Sequence, residues 1–140
     1  MSRHLEVIYC DDVRTELGGK LSFMGVYQKD MFTTAFPIVL PKFCIHLAAV
    51  TPVENPYQKL NFRILRDNDT LAEIVLDEDQ LKATAQATTE DDEELTHIIR
   101  VGMSFTPLQL DGPCTLRIQA NTETEELKGF ALNVSLHQGS

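Results

Sequence analysis

An all-β fold is what this sequence predicts, an antiparallel β-sandwich of about eight or nine strands, and three observations predict it. Apolar and polar side chains alternate along most of the chain, most cleanly where Leu95, His97, Ile99, Val101, Met103 and Phe105 share one side. Turn formers recur between these runs, among them Gly18-Gly19, Asp67-Asn68-Asp69 and Asp111-Gly112-Pro113. At most one short helix competes, near residues 78–88. A small closed barrel is the rival architecture.

Taken in order, Leu5, Val7 and Tyr9 alternate with His4, Glu6 and Ile8 and give a strand that starts almost at once. Tyr9 to Tyr27 then reads as a hairpin about Gly18-Gly19, because glycine accepts the positive φ angles of a two-residue turn without a Cβ penalty. That turn sets Leu17 opposite Lys20, Thr15 opposite Ser22, Val13 opposite Met24 and Asp11 opposite Val26. Met31 to Phe36 is a short strand stopped by Pro37, and Pro41 opens the next, with Phe43, Ile45, Leu47 and Ala49 on one side.

Thr51 to Pro56 is a loop, Leu60 to Leu65 a strand, and Leu71 to Leu76 its partner after the Asp67-Asn68-Asp69 turn. Asp77 followed three residues later by Gln80 has the form of a capping box, so Leu81 to Ala87 is read as helix, with a strand as the alternative. Glu90 to Glu94 repels itself and is expected as a solvated loop. Cys114, Leu116, Ile118 and Ala120 form a later inward row, a polar connection spans Asn121 to Glu125, and Phe130 to Leu136 closes the fold. This closing run of strand, turn, strand, turn and strand resembles the end of immunoglobulin-like and C2-like sandwiches. Such folds host many functions.

At 140 residues the chain is expected to be a single domain over 1–140, enough to bury roughly two thirds of its unfolded surface. A net charge of −9 opposes binding to nucleic acid or anionic membranes, and no apolar run reaches spanning length. The N-terminus has no apolar signal core, and Cys10, Cys44 and Cys114 form an odd, widely spaced set. A cytoplasmic location is the expectation.

The residues Tyr9-Cys10-Asp11-Asp12-Val13-Arg14, Gly19 to Tyr27, Phe36-Pro37 and Leu40 to Cys44 resemble a family of short bacterial single-domain proteins of unknown function. The resemblance covers most of the chain and is densest in its first third. It implies a bacterial protein and a shared fold; it transfers no activity, cofactor or catalytic residue.

Residues that could carry chemistry have plainer readings. Cys10 is a poor nucleophile, since Asp11 and Asp12 raise its pKa and His4 lies about 20 Å along the same strand. Cys44 and His46 share a strand face and supply at most half of a metal site. The acidic turns, Asp67 with Asp69 and Asp77 with Glu78 and Asp79, could gather calcium only if their oxygens converged. His97 sits in the most apolar row and has no nucleophile assigned to it.

Two features of the hairpin are sharper. Asp11 falls in the inward row between Tyr9 and Val13, where it is either buried and paired or turned out by a bulge at Cys10-Asp11-Asp12; the bulge is favoured. Arg14, Leu21, Phe23 and Tyr27 are read as one exposed face with the composition of a contact surface, unless that face is the core. The chain is therefore expected to be a non-enzymatic interaction or structural module without a cofactor, pairing through a sheet face or edge with another protein or with itself. The alternative is a loop-based ligand or metal-ion binding module on the same scaffold.

Overall fold

The computed structural model describes residues 3–84, 86–87 and 96–137. Strands dominate them: β1 (His4–Cys10), β2 (Asp12–Thr15), β3 (Leu21–Met24), β4 (Asp30–Thr33), β5 (Ile38–Leu40), β6 (Phe43–Pro52), β7 (Leu60–Arg66) and β8 (Asp69–Leu76). After α1 (Glu78–Thr84) come β9 (Gln86–Ala87), β10 (Thr96–Phe105), β11 (Leu108–Leu110), β12 (Cys114–Thr122), β13 (Glu126–Lys128) and β14 (Leu132–Leu136).

Two main sheets form the sandwich. One has the order β1-β6-β10-β9, the other β4-β14-β12-β7-β8 with β13 added to β12. Neither closes on itself, so the fold is a sandwich and not a barrel. Among the described residues all strand pairings are antiparallel except β4 with β14, which is parallel. Tyr9, Phe43, Ile45, Leu47 and Ile99 face Phe62, Ile64, Leu116, Ile118 and Leu132 in a common core. Alternation along each strand builds this core directly, since one row of every pleated strand must face the other sheet.

Local chemistry fixes the edges. Gly129, just after β13, lies so close to Val7 that a Cβ there would collide with its side chain, and the Tyr9 hydroxyl donates to the Phe130 carbonyl at 2.7 Å. These contacts tie β1 to the second sheet. The helix starts where the capping box predicts, with Gln80 N–H donating to Asp77 Oδ1 at 2.8 Å and Asp77 N–H to Gln80 Oε1 at 3.0 Å. It ends at Thr84 and does not reach Ala87: Gln86 and Ala87 pair with β10 as the short strand β9, the alternative reading of that stretch. Among the described residues no helix is long and apolar enough to cross a membrane.

The hairpin register differs from the expected one. Val13 pairs with Phe23, Arg14 with Ser22 and Thr15 with Leu21. The loop is three residues, Leu17-Gly18-Gly19, closed by Glu16 N–H to the Lys20 carbonyl at 2.6 Å, with φ of 83° at Gly18 and 80° at Gly19. One more residue in the turn moves the pairing by one, which changes the face that each partner shares. The expected strand from Met31 to Phe36 ends at Thr33, and the short β5 and β11 pair as a separate ribbon. The acidic run Glu90 to Glu94 lies outside the described residues.

Candidate functional site

Asp11 is where the first strand leaves its sheet. Its N–H donates not to β6 but to the carbonyls of Met24 at 2.9 Å and Gly25 at 3.2 Å, and β2 with β3 then forms a ribbon of its own. The chain rejoins β1 when Tyr27 N–H donates to the Tyr9 carbonyl at 2.8 Å. The exposed Asp11 carboxylate accepts the Tyr27 hydroxyl at 2.5 Å, so Asp11 is paired but turned out of the inward row and not buried in it. Gly25 completes this clasp: its φ is 67°, and a Cβ would meet the Asp11 carboxylate. Burial, followed by the hydrogen bond and charge of Asp11, pushes the Tyr27 pKa up.

Above the clasp the ribbon has two unlike faces. Phe23 turns toward the first sheet and meets the His46 ring edge-on, with centroids 5.3 Å apart. Val13, Thr15 and Leu21 share that side by alternation, whereas Arg14 and Ser22 occupy the other. Arg14 is exposed, 3.7 Å from Glu16, and Asp12 pairs with Lys42 at 2.6 Å. The hydrogen bond from Lys42 holds the Asp12 carboxyl below its ordinary range.

The four residues expected as one surface are thus distributed. Arg14 points to solvent, Phe23 is half-buried on His46, Tyr27 closes the clasp against Phe43 with ring centroids 6.0 Å apart, and Leu21 stays 40% exposed. Leu17 at the tip is 95% exposed and Val26 at the base 52%, which makes three apolar side chains of this segment solvent-facing. Sequence reading missed Leu17 and Val26 because the two-residue turn assigned both to the ladder.

Elsewhere the chemistry is quiet. Cys10 and Cys44 stand opposite each other across β1 and β6, both buried and unbridged. Burial, with smaller contributions from Cys44, Asp11 and Asp12, pushes the Cys10 thiol up to about 11, which keeps it protonated near neutrality. Cys44 Sγ lies 3.4 Å from Ser104 Oγ. His46 is covered by Phe23, its Nε2 has no partner among the described residues, and burial, then the charge of Arg100, lowers its pKa. Asp67 Oδ1 accepts the Thr115 N–H at 3.0 Å, and Asp77 caps α1, so both acidic turns have backbone work. Among the described residues no group of three or more His, Cys, Asp or Glu side chains could hold a metal ion. His97 is half-buried at the open end of the core.

The sequence matches the model of a family of unknown function, DUF6941, over residues 6–135. Neither a curated protein nor a solved structure matches the chain.

Proposed function

We propose that this chain, which belongs to the DUF6941 family of unknown function, is a non-enzymatic protein-interaction module that engages its partner through the β2–β3 hairpin. The observation that carries the reading is the apolar exposure of a segment built to stand apart from both sheets: Leu17 at 95%, Val26 at 52% and Leu21 at 40%. Covering the fully exposed Leu17 is worth about 1.5–3 kcal/mol, and Val26 and Leu21, already about half covered, add about half as much each. A partner that covered all three would gain a useful hot spot without disturbing the core.

The Asp11-Gly25-Tyr27 clasp supports the same reading, because it fixes the angle of the hairpin before any partner arrives and so lowers the cost of ordering it. Arg14 and Lys20 add rim charges of the opposite sign to the acidic body. Action in the bacterial cytoplasm belongs to this proposal; three free thiols favour a reducing compartment.

The test compares the wild-type protein with Leu17→Asp/Leu21→Asp as baits in native lysate, with sedimentation of each alone. The reading expects a discrete partner, or a self-association, that the double variant loses while keeping the wild-type circular dichroism spectrum. Identical binding by both proteins would refute it.

A further inference from the structure

A cavity of about 520 Å³ opens at the end of the sandwich opposite the hairpin, beneath α1 and within the roughly 300–1,000 Å³ of small-molecule sites. Ile99 and Thr51 come from β10 and β6, Leu81 from the helix, and Tyr57 from the loop between β6 and β7; all four are buried. Their polar atoms are already engaged. The Tyr57 hydroxyl donates to the Val50 carbonyl at 2.8 Å, and Thr51 Oγ1 donates to the Asn55 carbonyl at 2.6 Å while accepting Arg3 Nε at 3.0 Å. The floor therefore offers carbon to whatever enters.

The walls are held rigidly. Arg3, its side chain only 2% exposed, pairs with Glu123 at 2.6 Å, donates to the Pro56 carbonyl at 2.9 Å and stacks 4.6 Å from the Tyr57 ring centre. Glu123 in turn accepts the N–H of Gln58 at 2.9 Å. Burying such an ion pair is weak support for stability, but it sets this loop in one position. The capping box does the same for the helix wall.

Polar groups gather at the rim. Lys82 on the helix and His97 on β10 line the same opening, and neither side chain has a hydrogen bond or ion pair among the described residues. Glu78 lies one turn earlier on the helix, and among the described residues it makes no ion pair with Lys82. Among the described residues lining the opening, two donors on opposing walls against one carboxylate on a single wall favour a negatively charged head bridging helix and sheet.

We propose that this cavity binds a small molecule with an apolar body and one carboxylate, the body lying on Leu81, Ile99 and Tyr57 and the head held between Lys82 and His97. The site is independent of the hairpin, at the far end of β6 from the ribbon.

Decanoate is the probe, with decanol and decylammonium as controls for the head group, titrated into the full chain and read by the methyl resonances of Leu81 and Ile99. Decanoate should give saturable shifts confined to the cavity and bind more tightly than either control. Lys82→Ala changes an exposed side chain, so the fold is retained; it should weaken decanoate about tenfold and leave decanol unchanged. Absent or unsaturable shifts at those methyls, tighter binding of decylammonium, or equal decanoate affinity in Lys82→Ala would each overturn the proposal.

Discussion

Replacing Gly25 by alanine puts the hairpin clasp under a quantitative test. The substitution acts twice. An alanine at a φ of 67° costs about 1–2 kcal/mol from the left-handed backbone alone. Its Cβ also displaces the Asp11 carboxylate, which is the acceptor of the Tyr27 hydroxyl. A hydrogen bond to a charged group is worth about 1.5–3 kcal/mol when buried, and the exposure of Asp11 reduces that to about 1 kcal/mol. Gly25→Ala should therefore destabilise the protein by about 2–3 kcal/mol, read from urea unfolding with an unchanged m-value. The second contribution disappears in an Asp11→Ala background, where only the backbone cost of about 1–2 kcal/mol is left. An equal cost in both backgrounds would refute the collision, and a cost near zero would refute the backbone geometry as well.

Arg3→Met removes the buried cation from Glu123 and from the loop carbonyls, and should cost about 3–5 kcal/mol in urea unfolding; a loss below 1 kcal/mol would show that the network is not closed in solution. Burial raises the pKa of Tyr9, Tyr27 and Tyr57 in the folded state. Their contribution is fully present below the unfolded value near pH 10 and is lost as pH rises through the folded values, so stability should fall above about pH 10 by up to ~1.4 kcal/mol per pH unit for each tyrosine. Tyr27→Phe should make that fall shallower, and an unchanged slope would contradict it. The raised thiol of Cys10 and its burial predict slow reaction with a disulfide reagent at pH 8, with Cys114 modified first and Cys10 and Cys44 only on unfolding. Rapid labelling of all three in the native protein would contradict the packing.

Much of the sandwich was legible because its strands must alternate. The row from His97 to Phe105 and the row from Cys114 to Ala120 follow from period alone, and the capping box marked the helix through a specific pair, Asp77 and Gln80. The hairpin register was not legible. Gly18-Gly19 suits both a two-residue turn and the last two positions of a three-residue turn, and Leu17 is apolar enough to pass as a ladder residue. That single position decides whether Arg14 and Leu21 share a face.

The cavity left still less trace in the sequence. Arg3 reads as an ordinary surface cation near the N-terminus, and its burial depends on Thr51, Asn55, Pro56 and Glu123, which only the folded chain brings together. Tyr57 falls in a stretch of prolines and turn formers, where nothing signals a buried ring. Period and turn chemistry report local geometry; sites assembled from four separate segments are outside their reach.

The interaction role of the hairpin is tested most directly by a photo-crosslinking side chain at position 17 in living cells, with position 54 as control. Glu54 is exposed just beyond the far end of β6, about 30 Å from the ribbon by strand rise. Position 17 should give a discrete crosslinked band, to another protein or to a second copy, that Leu21→Asp abolishes and that position 54 does not give. Equal crosslinking at the two positions, or none at position 17, would contradict the account.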